Sequence, residues 1–216
     1  MEHRLLAVAH GTASPEGSKT TAQLIDAVRA FRPSVRVDLC FVDVLGPRLA
    51  DALDERPTVV VPLLLSTGYH VQTDIPAAVA GRPAVTVARH LGPDPLLVDV
   101  LLDRLPTGSG GSVALVGAGS SRPEAADELA EIGDQLGRRL GPPVQVLTLG
   151  DDVRAALKRL PPPIRVATYL LAEGQFVTTL RTAAEGLAAV AEPLGVHPAL
   201  VELVWQRYDE AVDHTG

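Results

Sequence analysis

Thr58–Pro76 reads TVVVPLLLSTGYHVQTDIP, and it joins an unbroken apolar run to a polar turn. Thr58 to Leu65 carries no charge and no alternation, the pattern of a strand buried on both faces. Such strands belong to parallel sheets covered by helices on either side. Pro62 cannot donate to a sheet ladder, so it marks a bulge or the carboxyl end of the strand. Ser66-Thr67-Gly68 then forms a turn, and a helix begins near Val71 or Asp74 and runs to Ala80.

The same alternation extends outward in both directions. Arg4–Ala9 is a strand ending at His10-Gly11. Ser14 before Pro15 is an N-cap followed by proline at the first helical position. That helix runs to about Ala30, with Leu24, Ile25 and Val28 on one face. Strand Val35–Phe41, helix Pro47–Glu55, strand Ala84–Ala88 and helix Asp94–Arg104 complete a first set. Pro106–Gly111, PTGSGG, is a linker. A second set follows: strands at Val113–Gly117, Val144–Leu149 and Arg165–Leu170, and helices at Pro123–Leu140, Asp151–Arg159 and after Gly174. Repeated βα units predict mostly parallel sheets with right-handed crossovers.

The two sets also match residue by residue. AHGTASPE (Ala9–Glu16) lies over GAGSSRPE (Gly117–Glu124), and LSTGYHV (Leu65–Val71) over LAEGQFV (Leu171–Val177). VARHLGPDPLLVDVLLDR (Val87–Arg104) lies over VAEPLGVHPALVELVWQR (Val190–Arg207). Three matches in one order identify an internal duplication. The expected fold is α/β, two similar small parallel-sheet halves with a cleft between them. The halves are 1–105 and 112–216, with 106–111 as linker, and the duplication implies a monomer.

Composition narrows the function. The chain has 216 residues, 46% hydrophobic and only 3% aromatic, so Val, Leu, Ala and Ile must build the core. A formal charge of −7 argues against nucleic acid as a partner. No run approaches the ~18 apolar residues of a transmembrane helix, and MEHRLLAVAHG lacks a signal-peptide core. A cytoplasmic protein that touches no membrane is expected. Cys40, the single cysteine, excludes an internal disulfide and reads as a buried small residue. Trp205 falls on the helical stripe Leu200, Val201, Val204 and Tyr208, a core position. His3, His197 and His214 read as solvated or turn residues, and Pro161–Pro163 as a stiff loop.

The duplication makes differences between the halves informative. His10 pairs with Ala118 and His70 with Phe176, so one half carries imidazoles where the other is apolar. Both lie beyond carboxyl ends of strands, where open α/β sheets bind ligands. Asp43 follows the second strand and could join them. Two histidines and a carboxylate suit a first-row divalent ion such as Fe, Co, Ni or Zn.

AHGTASPEG and LLLSTGYHVQTDIP together resemble the sirohydrochlorin chelatases of the class II chelatase superfamily. That family shows a strand before His-Gly-Ser, and later Leu-x-x-Gly-x-His-x-x-x-Asp-Ile-Pro, matched in full by Leu65–Pro76. HLGPDPLL (His90–Leu97) resembles a further family stretch, and the likeness spans the chain. The resemblance implies insertion of Co²⁺ or Fe²⁺ into sirohydrochlorin, for cobalamin or sirohaem synthesis. It implies no cofactor beyond that substrate metal. His10 and His70 become metal ligands and catalytic bases, since imidazole both ligates and accepts protons near neutral pH. Asp43 stands where the family usually has Glu, and is expected to reach the metal directly or through water. Thr12 replaces the usual Ser.

Gly11, Thr12, Ser14, Gly68 and Tyr69 flank the histidines and are expected to contact the macrocycle. Ser120, Ser121 and Arg122, at a helix start, either take a substrate carboxylate or form the cap left by the duplication. The substrate's eight carboxylates imply a cleft basic at its rim, with Arg89, His90, Arg122 and Arg181 as candidate cations. Two rivals remain: a metal or tetrapyrrole carrier without turnover, and a phosphate-handling hydrolase using His10-Gly11. The hydrolase lacks a Gly-rich phosphate loop.

Overall fold

A computed structural model describes residues 3–108 and 110–214. Ser109, within the expected linker, and the two residues at each end of the chain lie outside the described residues. Among the described residues no helix is long and apolar enough to cross a membrane.

Apolar runs end up where burial on both faces demands. In the first half β1 (Arg4–Ala9) and β3 (Thr58–Pro62) are buried throughout, and β2 (Val37–Phe41) and β4 (Val85–Val87) are the partly exposed edges. All pairings are parallel, in the order β2-β1-β3-β4. Pro62 is the last residue of β3, opposite Val8, and the ladder resumes with the Leu63 N–H on the Val8 carbonyl at 2.8 Å. The second half repeats the order with β5 (Ser112–Gly117), β6 (Val144–Thr148), β7 (Ile164–Tyr169) and β8 (Ala188–Val190), as β6-β5-β7-β8. β1 and β3 are central neighbours, and the chain leaves them toward opposite edges. The gap beyond their carboxyl ends is therefore a topological switch point.

Helix ends follow their caps. Ser14 accepts from the Gly17 N–H and starts α1 (Pro15–Phe31). Asp94 starts α4 (Pro95–Arg104), and at the matching position His197 caps α8 (Pro198–Asp213) through the Ala199 N–H. α5 spans Pro123–Leu140, as its periodicity predicts. Other helices are shorter than expected. α2 covers only Leu49–Ala52, because Asp54 folds back onto the Arg56 N–H in a turn ahead of Pro57. α6 covers Val153–Leu157 of the expected Asp151–Arg159, whereas α7, Gln175–Ala184, begins after Gly174 as expected. The helix expected at 71–80 divides into one wide turn, His70–Asp74, and α3 (Ile75–Val79). Pro76 has no N–H and its ring crowds the carbonyl four residues back. The turn consequently closes from the Ile75 N–H to the His70 carbonyl.

The last helix of each half crosses to the other. The sequence suggests that each sheet is flanked by its own helices, but α4 packs against α5 and β7, whereas α8 packs against α1 and β3. Strand alternation then feeds three cores. Leu5, Ala7 and Ala9 share one central cluster with Val113, Leu115, Leu101 and Trp205. Leu6, Val8 and the buried Cys40 face one outer core, and Ala114 and Val116 face the other. Burial pushes the Cys40 thiol up to about 12, consistent with a packing role.

α8 is fastened to the first half by polar contacts as well. Arg207, fully buried, donates to the His90 and Leu91 carbonyls and pairs with Asp94 at 2.7 Å. Trp205 donates to the Val28 carbonyl at 3.1 Å, and the Arg32 guanidinium lies 4.6 Å over its ring.

Candidate metal and tetrapyrrole site

The switch-point strands deliver the two histidines side by side. His10 follows β1 and His70 follows β3, with ring centroids 4.8 Å apart and planes at 78°. Each ring has one nitrogen committed. His10 Nδ1 lies 3.0 Å from the Gly11 carbonyl, which only accepts, so Nδ1 carries the proton. His70 Nδ1 lies 2.6 Å from Asp74 Oδ2, with the same consequence. Both Nε2 lone pairs are thereby left for an ion. The Asp74 carboxylate holds the His70 ring in one orientation and one tautomer, as carboxylates do for histidines that bind metals. Asp74 was not among the expected site residues. Its signal was the four-residue spacing from His70, which places both on one helical face.

Tight backbone contacts set the first loop. Gly11 has φ +92° and a Cβ there would meet the Asp43 carbonyl oxygen at 2.3 Å. Only glycine fits. The Asp43 N–H in turn donates to the His10 carbonyl at 3.1 Å. The Asp43 side chain takes another direction: its Oδ1 lies 3.3 Å from Arg48, and it is half exposed. Its carboxyl is held below the usual carboxylate range by the Val44 backbone N–H first, with Arg48 and His10 adding to the effect. Among the described residues no three His, Cys, Asp or Glu side chains cluster as a metal cage. The structure thus joins His10 and His70 and leaves Asp43 on Arg48.

The histidines open into a cleft of about 590 Å³ between the halves, a size ordinary for small-molecule sites. Leu63, Leu65, Ala125, Leu129 and Tyr169 line it, with exposed Tyr69 and Phe176. Gly11, Thr12, Gly68, Tyr69 and Ser120 line it as expected. Ser14, Ser121 and Arg122 are not among its lining residues. Ser14 is spent as the α1 cap and lines an adjoining groove with Glu173 and Arg181, and Arg122 occupies the N-cap position of α5.

The basic rim expected from a polyanionic substrate is absent. Among the described residues no lysine or arginine lines the cleft, and Glu173 is its one carboxylate. Three of the four candidate cations are paired elsewhere, and Arg122, the fourth, does not line the cleft. Arg89 pairs with Glu210 and Asp94, Arg181 with Glu173 and Glu192, and His90 sits 3.3 Å from Glu128. Burial lowers the His90 pKa despite that carboxylate. Gly119 and Ser120, in the loop ahead of α5, and Gly174 and Gln175, at the start of α7, line it instead.

None of the curated proteins compared with the chain matches it. Among solved structures, SirB from Bacillus subtilis with Fe³⁺ is 20% identical, with a TM-score of 0.78, over 100% of this chain and 98% of that one. The sirohydrochlorin chelatase SirB from Bacillus subtilis subspecies spizizenii, in complex with cobalt, gives 20%, 0.80, 99% and 96%. CbiX, described as the terminal enzyme for biosynthesis of siroheme in denitrifying bacteria, gives 22%, 0.74, 97% and 99%. At these identities the likeness concerns the fold. The CbiX family model matches twice, over residues 4–107 and 112–211, once for each half. Spanning nearly all of the sequence in two repeats, that match shows that the chain belongs to the CbiX family.

Proposed function

We propose that the chain is a chelatase that inserts Co²⁺ or Fe²⁺ into sirohydrochlorin. The observation carrying this reading is the pair of imidazoles at the cleft, each with Nδ1 protonated and Nε2 free. Membership of the CbiX family and the SirB complexes with Fe³⁺ and cobalt support it.

Insertion exchanges one ion for two pyrrole N–H protons. His10 and His70 hold the arriving ion through Nε2, and two protein ligands leave most of its coordination sphere to water and incoming pyrrole nitrogens. A closed four-ligand cage would retain the ion. As ring nitrogens replace the imidazoles, the freed Nε2 atoms accept the departing protons. No other cofactor enters the scheme. Tyr69 and Phe176 offer apolar faces to a flat macrocycle, and the amino end of α7, with Ser120 and Thr12, receives its carboxylates. Residues 1–105 supply the metal ligands and 112–216 the opposite wall, joined by 106–111, so one chain in the cytoplasm suffices as a monomer.

Anaerobic incubation with sirohydrochlorin and either ion, followed by absorbance, tests the proposal. Insertion faster than in a protein-free control is expected. Metal binding without acceleration would make the protein a carrier instead.

Asp43 acts on the ion through its charge, from the edge of the site. Asp43→Asn is therefore expected to weaken Co²⁺ binding by less than about fivefold, the scale of an exposed ion pair. A loss comparable with that of a histidine variant, measured by titration calorimetry, would make Asp43 a direct ligand.

A further inference from the structure

The loop that carries His70 is held from the opposite half. Glu128, on α5, accepts from the Thr67 backbone N–H through Oε2 and from the Thr67 hydroxyl through Oε1, both at 2.6 Å. The Tyr169 hydroxyl, at the end of β7, donates to the Leu65 carbonyl at 3.0 Å. Thr67 and Glu128 are largely shielded from water, where short charge-assisted bonds are strong. Glu128 is three residues past Ala125 and one before Leu129, both of which line the cleft. Its carboxylate itself lies behind the loop and is not among the lining residues.

Resting on the chelatase reading, we propose that Glu128 is a positioning residue for His70. It fixes Thr67, and Thr67 fixes the Gly68-Tyr69 step from which His70 turns toward His10. Asp74 sets the His70 ring about its own axis, whereas Glu128 sets where the backbone delivers that ring. The two halves therefore share one ligand: the second half, without a histidine in the cleft, supplies the register of the first half's.

Glu128→Ala, Glu128→Gln and Thr67→Val test this in the full chain. Co²⁺ affinity is read without tetrapyrrole from the visible bands of the bound ion, alongside kcat and KM for insertion and the thermal midpoint. Glu128→Ala is expected to weaken Co²⁺ binding on the order of tenfold, as outer-shell partners do. Glu128→Gln should recover most of this, because its amide can accept from the Thr67 N–H and donate to the hydroxyl. Thr67→Val, losing one of the two bonds, should fall between, and carries the test if Glu128→Ala does not fold. A Glu128→Ala chain that unfolds at lower temperature but binds and inserts Co²⁺ like the parent overturns the proposal, leaving a structural clasp only. Because affinity is read with metal alone, a parent chain that binds but never inserts overturns the chelatase reading without deciding this one, which the affinity series then decides.

Discussion

Alanine at His10 or at His70 lowers the rate of metal insertion by about 10²–10⁴-fold, the span that a positioned proton acceptor contributes. Each change removes a ligand and a base together, so the two single variants and the double variant should be nearly equal. Groups that act as a unit are not additive. The fold should survive both changes. His10 is exposed, and neither ring belongs to any of the three apolar clusters. Substitutions at such positions shift stability by only ~0.5 kcal/mol. Stopped-flow absorbance with Co²⁺ in excess checks the rate, and calorimetry with the ion alone checks the ligand role. A variant keeping more than about a tenth of the parental rate would show that one imidazole suffices, and the shared-site assignment would fall.

What was legible in the sequence was what neighbouring residues decide. Ser14-Pro15 starts a helix by local chemistry, and the structure places α1 at Pro15. The run from Thr58 reads as a buried strand because no polar residue interrupts it. The histidines stood out because the duplication supplies its own control, Ala118 and Phe176 at the matching positions. Contacts between distant segments were not legible. Leu200, Val201 and Val204 announce a buried face on α8, yet nothing in that stripe says which sheet it covers. β8, Ala-Ala-Val, went unread where the equally short β4, Val-Thr-Val, did not, because it carries one β-branched residue against three. Arg181 was a plausible carboxylate binder by type, but Glu173 and Glu192 already neutralise it. Thr67 and Glu128 meet across 61 positions, a pairing that no local spacing encodes.

The exchange of α4 and α8 has a large consequence for the separated halves. Residues 1–107 alone are expected not to fold as a monomer, although they hold a whole sheet and both histidines. The inner face of that sheet is covered by α8, through Leu200, Val201, Val204, Trp205 and Tyr208, all buried. These side chains leave with α8, but the apolar surface they cover on the first half stays and is exposed, at a cost on the order of 5 kcal/mol or more. That is comparable with the whole stability of an ordinary domain, roughly 5–15 kcal/mol. Asp94 would also lose its fully buried partner Arg207, and α4 would expose Leu97, Val98 and Leu101, which belong to the same central core. The fragment should bind a hydrophobic dye and show no cooperative transition by circular dichroism. Mixing it with residues 112–216 should restore both the transition and Co²⁺ binding, since each fragment brings the helix that the other lacks. A monomeric 1–107 that melts cooperatively would mean that the crossed helix is ornamental to the first half. Restoration on mixing would instead establish that the metal-bearing sheet depends on a helix encoded at the far end of the chain, about a hundred residues beyond its last strand.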